Sequence, residues 1–387
     1  MTETIVELET PVPLRLEPEL AKRILFVSAA ISDFTLVRSD RDVVAVALIV
    51  SPGTAIDDLA RKVNAMAVND VVMQRVVEPR VLWTTTSVPL TEDDPFAAMI
   101  AAGAAVEMGE GMVALSDPLI PLAAYLDGRL RRIAVDELGG VEYQYPTVIA
   151  TETLRRCGYL ESFPQHLMFV TRLHTDMDVY NAFGREVRAD PEAVRILDFC
   201  RNTDYSLPPT MCFHTYQQLS ATTVPQAGST YTARGKSFRF ESHYRRGLER
   251  LWNFTIRETV FVGSREFVVD CRRRFLQAAA GLVEELGLSG RCEVASDPFF
   301  LGDSASKAWS QRMHELKYEL ILGVGAGREV AVGSFNFHER FFGEAFAIRA
   351  EDQDVAYTAC VGFGLERFVL AFVARHGLDP RAWPIEL

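Results

Sequence analysis

The sequence predicts an α+β fold, an antiparallel sheet flanked by helices and preceded by a small α/β unit. Three observations predict it. Alternating apolar segments near 210–217, 236–243, 254–262, 316–322, 329–336 and 345–349 are mostly consecutive, not interleaved with helices as in βαβ units. Segments with apolar residues three and four apart, at 118–139 and 264–286, supply helices to cover such a sheet. The first 86 residues carry strand and helix patterns of their own.

In that first unit "TIVELETPVPL" alternates like a strand, and "PELAKRILFVSAAIS" has helical spacing. "FTLVRSDRDVVAVALIV" predicts a hairpin turning at Ser39–Asp40. "AIDDLARKVNAMAVNDVV" predicts an amphipathic helix with acids in its first turn, and "PRVLWTTTS" another strand. Residues 87–110 predict a connector and a short helix, so the chain divides into 1–110 and 111–387. In the second part "PLIPLAAYLDGRLRRIAVDELG" predicts a long helix, "GVEYQYP" a strand ending at Pro146, and "TETLRRCGYL" a short helix. Residues 176–206, rich in charge, fit a helical insertion, and "CVGFGLERFVLAFVARHG" a helix opened by glycines.

Composition narrows the function classes. Of 387 residues, 48% are hydrophobic and 24% charged, ordinary for a folded chain with a large core. There are 40 basic against 52 acidic residues, a formal net charge of −12. Nucleic-acid affinity rests on phosphate neutralisation, so this balance argues against tRNA or DNA as a partner. The acidic start and the absence of a long apolar run argue against a secretory leader or a membrane span and point to a cytoplasmic protein. Six dispersed cysteines in such a chain are expected to be reduced.

The run "FRFESHYRRGLERLWNFTIRE", 238–258, carries the first chemistry. On an alternating strand Arg239 and Glu241 share a face, a cation for a phosphate beside an acceptor for an amine. Arg250 and Phe254 can sandwich a purine by stacking and cation–π contact. A charged hairpin closing on a core phenylalanine fits the same run. In "GFGLERFVL", Gly362 and Gly364 precede a helix whose first turn carries Arg367, which suits a polyphosphate, as it suits a tight packing contact.

Taken in order, the helix and strand ending at Pro146, "FRFE…RLWNF…RE" and "GFGLERFVL" resemble motifs 1, 2 and 3 of class II aminoacyl-tRNA synthetases, over roughly residues 111–376. The resemblance implies an enzyme that binds ATP and an amino acid. It gives Arg239 the α-phosphate, Glu241 the adenine amine, Phe254 the adenine face and Arg367 the γ-phosphate side, with Arg239 and Arg367 as the catalytic charges. Arg250, Gly362 and Gly364 complete the ATP site. Cys212 in "LPPTMCFHTYQQL", expected on a strand, Glu258 in "TIRE" and Cys360 in "AYTACVGFG" are similar to the Cys/Glu/Cys zinc set of the atypical seryl-tRNA synthetases of methanogens and of their shortened relatives, the amino acid:[carrier protein] ligases. Three such ligands leave a fourth zinc position open, which in those families takes the substrate α-amine. "SFNFHERFFGEAF" fits the same group and gives Ser334 and Asn336 to the substrate. One position departs. Many class II enzymes hold Mg²⁺ with a carboxylate where this chain has Ala331, and Glu319 or Glu329 is left to substitute.

What the resemblance implies is therefore adenylation of a small amino acid by ATP, with zinc and Mg²⁺, in a homodimer paired through motif 1. The acceptor divides three readings. One is the phosphopantetheine thiol of a carrier protein, another is tRNA in a seryl-type synthetase, and the third is a non-catalytic paralogue that only binds. Intact Arg239, Glu241, Phe254 and Arg367 speak against the third. The acidic balance, and a chain that ends soon after motif 3, speak against the second. An acidic carrier would find two candidate docking sites, the 176–206 insertion and the cluster Arg272, Arg273 and Arg274. His214, His243 and His338 are expected as core or rim residues.

Overall fold

A computed structural model describes residues 1–73, 80–85, 94–241, 247–295, 315–325 and 327–387. His243, Arg245 and Arg246 lie outside them.

The N-terminal unit is β1 (Thr2–Pro13), α1 (Glu17–Val27), β2 (Ile31–Arg38), β3 (Asp42–Val50) and α2 (Ile56–Met66). The strands form an antiparallel sheet in the order β1-β3-β2. One face packs on the helices through Val6, Leu8, Leu20, Ile24, Leu48 and Val63. The next strand departs from the expectation. β4 (Val81–Thr84) leaves this sheet and pairs with the distant strand Gly290–Val294.

The rest of the chain runs α3 (Pro95–Ala101), the hairpin β5 (Ala105–Gly109) and β6 (Met112–Leu115), α4 (Leu119–Arg132), β7 (Val141–Tyr143), β8 (Ile149–Ala150), α5 (Thr151–Arg156), α6 (Tyr159–Ser162), β9 (Phe169–Leu173), α7 (Met177–Ala189) and β10 (Cys200–Ser206). Then follow α8 (Cys212–Gln218), β11 (Thr223–Val224), β12 (Ser229–Phe238), β13 (Asn253–Gly263), α9 (Arg265–Glu285), β14 (Gly290–Val294), β15 (Lys317–Gly323), β16 (Glu329–Phe337), α10 (Phe341–Phe346), β17 (Arg349–Ala350), β18 (Tyr357–Gly364) and α11 (Leu365–His376). Among the described residues eight strands form one sheet, β4-β14-β15-β16-β18-β13-β12-β7, antiparallel except where β7 runs parallel to β12. Helices α4, α9 and α11 cover one face, through Leu122, Leu126, Phe275, Phe368 and Phe372. The short helices α5, α8 and α10 pack on the other, through Leu154, Tyr216 and Phe346. The expected α+β architecture is the one observed.

Besides β4, and β18, which occupies Tyr357–Gly364 ahead of the helix expected from Cys360, four elements differ from expectation. Residues 210–217 do not form a strand: Cys212 opens the helix α8. All five residues Cys212–Tyr216 are buried, so no polar position marks the helical period. Residues 345–349 are the end of α10, stopped by Ala347 at φ 52°, and the two-residue β17. The strand expected at 236–243 is displaced, since β12 ends at Phe238 and Arg239 and Glu241 follow it. The insertion is a helix only in its first half and returns as β10.

A buried ion pair ties the sheet to α4. Arg257 of β13, 3% exposed, donates from Nε and Nη2 to both oxygens of Asp127 in α4, at 2.7 and 2.8 Å, and from Nη1 to Glu142 of β7 at 2.7 Å. Removing one partner strands a buried charge. Asp127→Ala is expected to lower stability by about 3 kcal/mol, read as a fall in the denaturant midpoint at unchanged slope. A shift within the error of the midpoint would show that Glu142 alone compensates Arg257.

Candidate active site

The centre of the site is β13, flanked by β12 and β18. Its alternation sends Phe254 and Glu258 to one face and Arg257 to the other. Glu258 is 4% exposed, and its Oε2 collects three donors: Thr210 Oγ1 at 2.5 Å and the backbone N–H groups of Met211 and Cys212, both at 2.8 Å. A carboxylate on a strand thus starts the neighbouring helix, the anionic partner that a helix N-terminus favours. The same contact brings Cys212 against the sheet. Cys360 of β18 pairs in register with Val260, two residues from Glu258.

The ligand atoms of Cys212, Glu258 and Cys360 lie within 4.8 Å of one another, and all three residues are buried. Burial pushes the Cys212 thiol well above its ordinary pKa, with the hydrogen bond to Cys360 and the charge of Glu258 adding to it. Two thiols and a carboxylate so placed fit Zn²⁺, because only a cation lets both sulfurs ionise there. A Cβ at Gly362 would meet Ile256 Cδ1 at 3.0 Å, so that glycine makes room for the β13 side chain beside Glu258. Gly364 stands before α11, where an added Cβ would have only Arg367 Cδ at 4.0 Å. On β16, Asn336 pairs in register with Cys360 and Ser334 with Gly362. Asn336 Nδ2 lies 3.5 Å from Cys360 Sγ and 3.3 Å from Ser334 Oγ. His338, two residues on, places Nε2 3.6 Å from the same sulfur. Both expected substrate residues therefore border the cluster.

Arg239, Glu241, Arg250 and Phe254, expected to hold the nucleotide, lie around the end of β12 and the start of β13. The Arg239 guanidinium stands 5.4 Å from the Phe254 ring centroid and donates from Nε to the Pro209 carbonyl. Arg250 donates from Nη1 to Glu241 Oε2 at 2.7 Å. Burial works to raise the Glu241 carboxyl, but the charges of Arg250, His166 and Arg239 outweigh it and hold it below the usual carboxylate range. Arg367 is contacted by two backbone carbonyls, Nε to Glu249 at 2.6 Å and Nη1 to Ala331 at 2.9 Å. Burial and the charge of Arg250 pull it down to about 10, so it is still cationic at neutral pH. Among the described residues no carboxylate forms an ion pair with it. Such a cation is electrostatically ready for a polyanion.

Of the two acids considered for Mg²⁺, Glu329 has both oxygens held by Arg291 Nη1 at 2.7 Å. Glu319 pairs in register with Ser334, beside the site, and its charge acts on Arg367. In the Arg272–Arg274 cluster Arg273 and Arg274 are exposed, but Arg272 faces inward. Arg272 is 6% exposed and stacks 4.4 Å from the Tyr318 centroid, and Arg273 is paired with Asp270. The motifs did not name Thr210, Pro209 or Glu366. Glu366 receives the Thr255 N–H on both carboxylate oxygens, at 2.9 and 2.8 Å, and so ties the start of α11 to β13. Its place beside Arg367 in "LERF" was the only available signal.

This sheet, with its flanking helices, defines a fold of the class II aminoacyl-tRNA synthetase type. The chain superposes on the seryl-tRNA synthetase of Methanopyrus kandleri, solved with an A. aeolicus tRNASec, at a TM-score of 0.72 and 22% identity, covering 99% of this chain and 76% of that one. A prolyl-tRNA synthetase of Giardia lamblia with prolyl-adenylate follows at 0.55 and 15% identity, covering 74% and 54%. No family model matches the sequence. Amino acid–[acyl-carrier-protein] ligase 1 of Bradyrhizobium diazoefficiens is 33% identical over 253 residues, which cover 65% of this chain and 76% of that ligase. A type-2 serine–tRNA ligase of Methanococcus aeolicus is 29% identical over 285 residues, 71% of this chain and 55% of that enzyme. The chain belongs to the amino acid–[acyl-carrier-protein] ligase family and is a ligase. Among its described residues no helix is long and apolar enough to cross a membrane.

Metal analysis of the purified protein is expected to find about one zinc per chain. Cys212→Ser and Cys360→Ser should lose it, whereas the serine variants of Cys157, Cys200, Cys271 and Cys292 should keep it. Because the buried thiols are protonated without a cation, uptake should release protons, and affinity should fall as the pH is lowered. Full zinc content in Cys360→Ser would remove the cluster as the metal site.

Proposed function

We propose that this protein activates a small amino acid with ATP as an aminoacyl-adenylate and passes it to the phosphopantetheine thiol of a carrier protein. The observation that carries this reading is the buried Cys212–Glu258–Cys360 cluster, whose Glu258 shares a face of β13 with Phe254, the ring beside which Arg239 stands. An amine anchor and a nucleotide site thus stand side by side.

In the first step a substrate carboxylate oxygen bonds to the α-phosphorus, the bond from that phosphorus to the bridging oxygen breaks, and pyrophosphate leaves. Arg239, on the Phe254 side, neutralises charge growing on the α-phosphate, and Arg367 that on the leaving pyrophosphate. Phe254 offers its ring to adenine, and Glu241 accepts from the adenine amine. Arg250 keeps Glu241 ionised for that role. Zinc held by Cys212, Glu258 and Cys360 would supply a Lewis-acid anchor for the α-amine, which admits amino acids and rejects carboxylic acids without one. Asn336 and Ser334 would orient the substrate beside it. Mg²⁺ would be held by Glu319. In the second step the carrier thiol, losing its proton, attacks the acyl carbon, and AMP leaves.

With Arg272 turned inward and Arg273 paired with Asp270, the insertion is the better candidate for carrier docking. No residue of α7 is buried, and Met177 and Leu197 are 70% and 74% exposed. Homodimer pairing is proposed at β7, the edge of the sheet, where Val141 and Tyr143 are exposed.

Arg239→Ala should reduce amino-acid-dependent pyrophosphate exchange by roughly 10²–10³ in rate while the fold persists. Exchange within a few-fold of the parent would overturn the nucleotide site. Labelled amino acid should pass to a holo carrier protein as a hydroxylamine-labile thioester and leave the apo carrier unlabelled. Robust charging of tRNA with no carrier labelling would favour the seryl-type synthetase instead.

A further inference from the structure

The nucleotide pocket has a wall that none of the three motifs contains. His166 ends the short turn Pro164–His166, between motifs 1 and 2. Its carbonyl accepts the N–H of Phe240 at 3.1 Å, the residue between Arg239 and Glu241. Its side chain is 11% exposed, with Nε2 3.8 Å from Glu241 Oε1, while Arg250 holds Oε2. The Glu241 carboxylate therefore has a cationic fork on one oxygen and an imidazole beside the other. Main chain and side chain of one residue both act on the segment Arg239–Glu241.

The imidazole is itself confined. The Tyr159 hydroxyl is 3.4 Å from Nδ1, and the Phe163 ring lies parallel to it, 4° between planes and 6.1 Å between centroids. A third ring comes from elsewhere in the chain. Phe26, in the last turn of α1, meets the imidazole edge to face at 6.3 Å and 73°. Such a pair holds a ring by shape and quadrupole together. The N-terminal unit thus touches the residue that faces Glu241.

We propose that His166 is a positioning residue for recognition of the 6-aminopurine ring, and that Phe26 makes the N-terminal unit a supporting wall of the nucleotide site. The proposal rests on the reading of Glu241 as acceptor for the adenine amine. Phe26 orients the imidazole, and the imidazole fixes the carboxylate oxygen that Arg250 does not. Without either ring, the carboxylate turns wholly toward Arg250 and the amine loses its acceptor. The phosphate contacts at Arg239 and Arg367 stay.

The test is pyrophosphate exchange by the full-length protein with ATP and with purine riboside triphosphate, which lacks the 6-amino group. Phe26→Ala and His166→Ala should each raise KM for ATP about tenfold, the scale of one hydrogen bond to a charged acceptor. The KM values for purine riboside triphosphate and for the amino acid should stay within about twofold of the parent's. His166→Gln, whose amide nitrogen reaches the place of Nε2, should restore part of the loss. Phe26→Leu keeps an apolar group of similar size, so it guards against an unfolded N-terminal unit, and it should still raise the ATP value because the aromatic edge is gone. An equal rise for both nucleotides would reduce Phe26 and His166 to general packing and overturn the proposal. Glu241→Gln separates the two failures. If it abolishes the preference for ATP while the Phe26 and His166 variants retain it, the reading of Glu241 stands and this inference falls. If it leaves the preference intact, both fall.

Discussion

The site depends on one buried carboxylate. Glu258 sits mid-strand in the sheet, where an unpaired charge would cost several kcal/mol. Three donors on one oxygen remove that penalty, and all three come from the segment Thr210–Cys212. Satisfying Glu258 and placing Cys212 are thus the same event. The thiol is delivered to the sheet because the helix carrying it must begin where the carboxylate can accept its N–H groups. On the reverse of the same strand, Arg257 is gripped by α4. One strand therefore ties the long helices behind the sheet to the short helices and the chemistry in front.

Around that strand the pocket keeps positive charge in reserve. Arg367 is buried against carbonyls that align it without cancelling its charge. Arg239 leans toward an aromatic ring. The pairing of Arg250 with Glu241 keeps an acceptor ionised where a base would need it. The arrangement suits a reaction whose difficulty is bringing one anion to another.

How much of this was legible in the sequence follows from what each signal rests on. Arg239, Glu241, Phe254 and Arg367 stood out because charge at half-buried positions beside aromatics is unusual for a plain core strand. The strands 254–262, 316–322 and 329–336 were legible because their apolar residues alternate or cluster. The helix at Cys212 was hidden because burial on every side erases the period. β18 was hidden because its apolar run merges into α11. The triple arginine at 272–274 looked like one solvated patch, but a helix turns successive residues apart, and Arg272 faces inward to Tyr318. The Cys/Glu/Cys set was visible only through resemblance, since linear separation carries no geometry. His166 and Phe26 gave no signal, because what joins them is the packing of two units distant in sequence.

The position of β4 bears on how this chain can be divided. The strand lies in sequence beside the N-terminal unit, yet it covers the outer edge of β14. A catalytic core cut at residue 111 would keep all three motifs and lose that cover. The backbone groups of β14 that bond β4 would then face solvent along a strand whose outer neighbour is gone, an invitation to pair edge to edge with another copy. The dividing line that composition suggests at 110 would thus cut away part of the sheet, and a soluble minimal enzyme has to begin upstream of Val81.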